Sequence, residues 1–237
     1  MAYYPIFVEM RGRKVLLVGG GHVALEKIGK LVESEADVTV VAPVLIPEVR
    51  AFIENGSARL EEREFRAGDT AGFEVVMVAT DDGGINRQVA DEARSRGIWV
   101  NAADDVANCD FILPGVARRG RIAIATSTGG ASPALARWLR ERMEDFLSDE
   151  VVALGDVLAE LRVRVRARDR ECASTCDRTQ PPPPLLCKTC PNRIPPESWQ
   201  TAIDDEVMAL LAAGNIEAAS ARIATGIGLD RPLVARV

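Results

Sequence analysis

The stretch "VLLVGGGHVALEK", residues 15–27, constrains this chain more than any other. Four apolar residues run into three glycines and then into residues of helical period, as when a strand enters a tight turn and leaves it as a helix. Gly19, Gly20, Gly21, His22, Val23 and Ala24 fit the order G-x-G-x-x-A. In that fingerprint the first glycine makes the turn and the second lets backbone approach a pyrophosphate, while the small last residue lets the helix pack on the strand. The N–H groups at the helix start then face the phosphates. A bare glycine triplet also suits a purely structural turn, so the strand before it and the helix after it carry the weight. These six residues are the expected contacts of a dinucleotide.

Around this turn, strand signals at 14–18, 38–42, 75–79 and 98–101 alternate with helical signals at 23–31, 45–54 and 86–96. Weaker strand signals stand at 59–64 and 111–113. Such alternation implies a parallel sheet with right-handed crossovers. The expected architecture is α/β, with a Rossmann-like, doubly wound domain over 1–113. The second strand ends "VVAP", without the acidic residue that usually holds the adenosine ribose and without an arginine just beyond it. That tips the expected cofactor towards NAD, with Pro43 among its contacts.

Past Pro114 the pattern changes. A strand at 121–126 leads through the turn "STGGASP" into a helix, with Ser132 as N-cap and Pro133 as first helical residue. Leu135, Trp138, Leu139 and Phe146 mark one apolar face of it. A lone strand and one helix are too small to fold alone, so 114–148 is expected to be a dimerisation segment packed on a second subunit. Residues 149–237 read as a helical C-terminal domain, with a long helix at 151–170 and two closing helices at 199–213 and 216–223. Arginines stand at 118, 119 and 121 and at every second position from 162 to 170. Arginines at every second position cannot share one helix face, so at least half of that run is expected to be solvated.

A four-cysteine insertion at 171–196 interrupts the helical domain. Cys172, Cys176, Cys187 and Cys190 are spaced C-x3-C and C-x2-C around a proline run. Four thiolates so placed suit a closed zinc site, with an iron–sulfur cluster or free thiols as alternatives. Cys109 stands apart as a small residue beside a strand. A net charge of −6 argues against nucleic acid as the main partner, since phosphate binding needs a basic surface. No apolar run approaches the roughly 20 residues needed to span a bilayer. Residues 1–10 carry no secretory signal, so the expectation is a cytoplasmic protein with no membrane partner.

"PIFVEMRGRKVLLVGGGHVALEK", "VTVVAP", "VATDDGGIN", "VNAADDVANCDFILPG" and "STGGASPALARWLRE" follow one another in that order. Together they resemble the precorrin-2 dehydrogenase/sirohydrochlorin ferrochelatase family, the N-terminal part of siroheme synthases. The resemblance is close over 3–148 and loose beyond. It implies a homodimeric enzyme that oxidises precorrin-2 to sirohydrochlorin by hydride transfer to NAD; some members also insert ferrous iron as a substrate. It implies Asp104 as the catalytic carboxylate, able to take the proton that accompanies hydride loss or protons from pyrrole nitrogens. Asp105 is its alternative, and a loop aspartate that caps a turn is the bland one.

By the same resemblance Thr80, Asp81, Asn86 and Asn101 lie beside the cofactor, and Asp104, Pro114, Ser127, Thr128 and Gly129 beside the tetrapyrrole. Some relatives carry serine where this chain has Thr128. Asp81 or Asp82 would also serve as a helix N-cap, and Asn101 and "STGG" would also serve as turn formers. The one histidine, His22, is placed near the pyrophosphate rather than in catalysis. The alternative function is a non-catalytic NAD(H)-binding sensor, with the cysteines reporting redox or metal status.

Overall fold

Val15, Leu16, Leu17 and Val18 are all buried in strand β1 (Lys14–Val18), since a central parallel strand is covered on both faces. The computed structural model describes residues 3–103, 106–174 and 190–234. In it β1 pairs in parallel with β2 (Asp37–Val41) on one side and β4 (Val75–Val78) on the other. β3 (Ala58–Glu61) extends the sheet beyond β2, and β5 (Trp99–Ala102) extends it beyond β4. The spatial order is β3-β2-β1-β4-β5.

Alternate residues of these strands feed two cores. Val15, Leu17, Val38, Val40, Val75 and Met77 pack with Ala24, Ile28 and Leu31 of α1 (His22–Glu33) and Val49 of α2 (Pro47–Glu54). Leu16, Val18, Val76, Val78 and Val100 pack with Val89, Ala90 and Ala93 of α3 (Gly83–Ser95). Each fully buried valine or leucine contributes about 1.5–3 kcal/mol relative to leaving it in water. The α/β class and the sheet's parallel sense are as expected, with boundaries moved by a few residues.

One expected strand is absent. Residues 111–113 form no strand; the segment is held instead by side chains of β5 and its own Asp110. Asp110 N–H donates to Val100 O (2.8 Å) while Asp110 Oδ2 accepts from Val100 N–H (3.0 Å), and Asn101 Nδ2 donates to Phe111 O (2.9 Å). Between β3 and β4, Glu92 of α3 accepts from Gly68 N–H, Thr70 N–H and Thr70 Oγ1 and pairs with Arg96. Burial alone would raise that carboxyl, but these donors hold it below the usual range.

The chain divides into two compact units, 1–113 and 114–237. The second begins not with a lone strand but with an antiparallel hairpin, β6 (Gly115–Arg119) and β7 (Ile122–Thr126). "GVARR" has no apolar run to announce it; the Gly120-Arg121 turn, with Gly120 at φ +56°, makes the pairing. Helix α4 (Pro133–Phe146) packs on the hairpin, and Ser132 caps it by accepting from Leu135 N–H (3.2 Å). Leu135, Trp138 and Phe146 remain 47–60% exposed.

Helix α5 (Asp149–Ser174) then packs with α7 (Asp205–Ala212) and α8 (Ile216–Gly226) through Val157, Leu161, Val165, Val207, Leu211 and Ile223. Arg162, Arg164, Arg166 and Arg170 are exposed, as helical geometry requires of most of that run. The expected helix at 199–213 is two helices, α6 (Pro196–Thr201) and α7, because Asp204 caps α7 by accepting from Val207 N–H (2.9 Å).

Arg222 also donates to Asp204 (2.7 Å), and these bonds hold its carboxyl down at about 2 from an ordinary 3.8. The fold therefore favours the ionised form. Its contribution is fully present above the ordinary pKa and is lost as pH falls through about 2. Asp204→Asn, which keeps a capping oxygen but no titration, should flatten the fall in melting temperature between about pH 4 and pH 2. Thermal melts of the two proteins across that range would check it; parallel curves would contradict it.

Candidate active site

The strand order reverses direction between β1 and β4, and in open α/β sheets ligands bind at the carboxyl ends beside such a switch point. Gly19 and the loop after β4 meet there. Gly19 N–H donates to Val41 O (3.0 Å) and Ala79 N–H to Val18 O (2.8 Å). Gly19 has φ +120°, and a Cβ on it would lie 2.1 Å from Ala79 O. A Cβ on Gly20 would lie 2.3 Å from Val44 O. These two glycines are required by the protein's own packing.

Gly21 differs. Its φ of −92° suits any residue, and a Cβ there would meet nothing within 4 Å. It stands at the N-cap of α1, with no side-chain cap and no acidic residue in the first turn. His22 and Val23 are exposed beside it, and Ala24 is fully buried against the sheet. The turn thus offers open backbone and a helix N-terminus with no competing carboxylate, which fits a bound pyrophosphate. Pro43 is exposed just beyond β2, where no carboxylate follows the strand.

In the loop after β4, Thr80 Oγ1 bonds Asn86 Oδ1 (2.5 Å), and Asn86 Nδ2 donates to Thr80 O (3.0 Å). Asn86 is buried, so its amide shapes the loop. Asp82, not Asp81, is the N-cap of α3: its Oδ1 accepts from Gly84 N–H (2.8 Å) and Ile85 N–H (3.1 Å). Asp81 is exposed.

Asn101 closes β5 and ties three segments together. Its Oδ1 accepts from Lys27 Nζ (2.8 Å), and its Nδ2 donates to Phe111 O and lies 3.6 Å from Cys109 Sγ. Cys109 Sγ itself accepts from Ala102 N–H (3.2 Å) and donates to Ala102 O (3.1 Å). Lys27 is the site residue that sequence reasoning missed. It is 8% exposed, and the signal was available: a lysine on the apolar face formed by Ala24, Ile28 and Leu31. Asp104 and Asp105, which follow β5, lie outside the described residues.

Pro114, Ser127, Thr128 and Gly129 belong to the second unit. Thr128 Oγ1 donates to Ser132 O (3.2 Å) and accepts from Ser132 N–H (3.2 Å), closing the turn before α4. Gly129 and Gly130 take φ of +62° and +87°, which glycine adopts freely, and Gly129 N–H donates to Ser127 Oγ (3.1 Å). Of the cysteine set, Cys172 and Cys190 are described; Cys176 and Cys187 lie outside the described residues. Among the described residues no three potential ligands converge on a metal position. None of the described helices is long and apolar enough to cross a membrane.

A parallel sheet with an open glycine turn at its switch point defines a dinucleotide-binding protein of the α/β class. Residues 6–115 match the family described as "Putative NAD(P)-binding", and residues 119–145 match "Sirohaem biosynthesis protein central". The siroheme synthase of Methylococcus capsulatus is 43% identical over 166 residues, 70% of this chain and 35% of that protein. That of Nitrosococcus oceani is 39% identical over 168 residues, 71% and 36% respectively. The chain thus spans 35–36% of the length of these two relatives. A solved structure titled "SirC, precorrin-2 dehydrogenase" shares the fold, with a TM-score of 0.69 and 24% identity over 94% of this chain and all of that one. Over the matched spans the chain is similar to siroheme synthases, as its motifs are.

Two substitutions separate packing from binding. Gly21→Ala should cost at most about 1 kcal/mol of stability, the order of an N-cap change, yet weaken dinucleotide binding by tenfold or more. Gly19→Ala should cost roughly 3 kcal/mol or more, because it combines a disfavoured φ with a backbone collision. Calorimetric titration with NAD and thermal melts would check both; equal effects of the two would contradict the assignment. Asn101→Ala removes an acceptor from Lys27 and a donor from Phe111 O, and should destabilise the first unit by about 1–3 kcal/mol in chemical denaturation.

Proposed function

We propose that this chain oxidises precorrin-2 to sirohydrochlorin, with NAD as the hydride acceptor, as a step of siroheme biosynthesis. One observation carries the reading: the NAD(P)-binding match that holds the glycine turn is followed directly by the sirohaem central match, in a chain 43% identical over 166 residues to a siroheme synthase. Gly21 and the first-turn amides of α1 hold the pyrophosphate, flanked by His22 and Val23, while Pro43 borders the adenosine half. The loop shaped by Thr80, Asp81 and Asn86, together with Asn101, borders the nicotinamide half. When bound, the nicotinamide supplies the hydride acceptor, and the substrate's gain in conjugation supplies driving force.

The chain's own work is alignment and proton acceptance. Loss of two hydrogens as hydride and proton needs one base, and Asp104 fills that role. Pro114, Ser127, Thr128 and Gly129 contact the tetrapyrrole, with Ser127 offering its hydroxyl and the glycine close backbone approach. No histidine is needed for this chemistry. Insertion of ferrous iron, taken as a substrate, is the further activity proposed, with Asp104 taking protons from the pyrrole nitrogens.

The exposed Leu135, Trp138 and Phe146 of α4 support a homodimer built through the 114–148 segment, since a helix with no buried residue of its own needs a cover. A cytoplasmic setting belongs to the same reading. For the cysteine segment the reading is a bound metal, as zinc or an iron–sulfur cluster, separate from the hydride chemistry.

The test is anaerobic, with enzymatically made precorrin-2 and NAD, followed by absorbance. NADH and sirohydrochlorin should rise together, and Asp104→Ala should abolish turnover while leaving NAD binding intact. Ferrous iron added afterwards should give a siroheme spectrum faster than without protein. NAD binding without turnover would overturn the enzyme reading in favour of an NAD(H)-binding sensor.

A further inference from the structure

Cys172, in the last turn of α5, is 7% exposed, and its Sγ lies 3.8 Å from Sγ of the half-buried Cys190. The two residues stand 18 positions apart in the chain, so the fold brings their sulfurs into contact. A disulfide holds its sulfurs about 2.05 Å apart, so bond formation asks each to move by about an ångström. Buried structural thiols are inert, whereas a reactive thiol is partly exposed. This pair has one of each kind: Cys190 can meet a solute, and Cys172 is shielded but within reach of it.

The surroundings hold the shielded sulfur in place. Asn192 is buried, and its Nδ2 donates to Cys172 Sγ (3.1 Å) and to Val234 O (3.0 Å). Its Oδ1 accepts from Val234 N–H (2.8 Å), which fixes the amide so that N–H points at sulfur. An N–H donor orients the sulfur and stabilises charge on it as its proton leaves. Arg168, one turn before Cys172, donates to Asn192 O (3.0 Å) and Arg231 O (3.2 Å), and Arg193 N–H donates to Cys190 O (3.1 Å). These bonds fix the backbone around the two sulfurs, so little further ordering is needed when they react.

We propose that Cys172 and Cys190, in contact and braced by Asn192, are a dithiol site that a small-molecule disulfide of the glutathione class oxidises to an intramolecular disulfide. Cys190 Sγ, as thiolate, attacks one sulfur of the oxidant; a mixed disulfide forms, and the other half leaves as a thiolate. Cys172 Sγ, as thiolate, then attacks Cys190 Sγ and expels the second half. Two protein thiols are oxidised, one disulfide is reduced to two thiols, and the two protons pass to the departing thiolates. The new bond ties the last turn of α5 to the turn that precedes α6, and excess reduced thiol opens it by the same steps reversed. In a reducing compartment such a bond is transient, which suits a redox-responsive clasp and not a permanent staple. The proposal goes beyond the metal reading of the cysteine segment, since it concerns the two thiols when no metal holds them. It does not rest on the dehydrogenase reading.

The test uses the full chain, reduced in the presence of a chelator and then equilibrated without oxygen in mixtures of reduced and oxidised glutathione. After alkylation, peptide mapping should find Cys172 joined to Cys190, with two hydrogens lost and no glutathione retained. The oxidised protein should melt several degrees higher than the reduced one. The double variant Cys176→Ser/Cys187→Ser should form the same bond. Cys172→Ser should instead stop at a glutathione adduct on Cys190. Alkylated thiols at 172 and 190 at every glutathione ratio would overturn the proposal, as would a double variant that carries only glutathione adducts. Precorrin-2 turnover is measured separately, so failure of either reading leaves the other standing.

Discussion

The close approach of Gly19 to Ala79 across the switch point of the sheet is the constraint on which the first unit depends. A Cβ at residue 19 would sit 2.1 Å from the Ala79 carbonyl oxygen, so β1 and the loop after β4 can lie this close only with glycine between them. That approach lets β1 hand the chain directly into α1, which places the helix N-terminus over the carboxyl ends of the strands. Where backbone packs on backbone there is no side chain to compete with a ligand, and the next glycine, Gly21, is left facing open space. One steric requirement thus makes both the turn and the open backbone that follows it.

Polar groups around this point work mainly on the protein itself. Asn86 spends its amide on Thr80. Asn101 joins α1, β5 and the 109–111 segment, with the Lys27 ammonium taken out of water beside it. Burying a lysine is costly without partners, so its amide acceptor is part of what keeps α1 seated on the sheet. Such groups define the shape of the loops at the carboxyl ends of the strands.

Much of the first unit was legible in the sequence, because buried parallel strands are short β-branched runs and the glycine turn has its own grammar. "VLLV" and "VVMV", and in the second unit the capping Ser132-Pro133 pair, translated directly into structure. What failed were elements defined by pairing rather than composition. "GVARR" became a strand only through β7, and "FIL" at 111–113 did not, since its Phe111 carbonyl is taken by Asn101. The helix expected at 199–213 broke at Asp204, where a local cap competes with continuation. Lys27 reads in the sequence only as part of the helical period, because period alone does not say which charged residue on an apolar face is buried.

The sequence by itself determined the α/β class, the dinucleotide turn, the order of motifs shared with siroheme synthases and the presence of four clustered cysteines. Those are properties of residue order, and local sterics or hydrophobic period suffice to read them. Tertiary structure alone decided which glycines serve packing and which leaves room for a ligand, and that Asn101 meets Lys27 from 74 positions away. It also decided that Cys172 and Cys190 stand 3.8 Å apart with an amide aimed at sulfur. The reason is physical: steric exclusion and hydrogen bonding act over a few ångströms of space, and only the folded chain sets which distant residues share it.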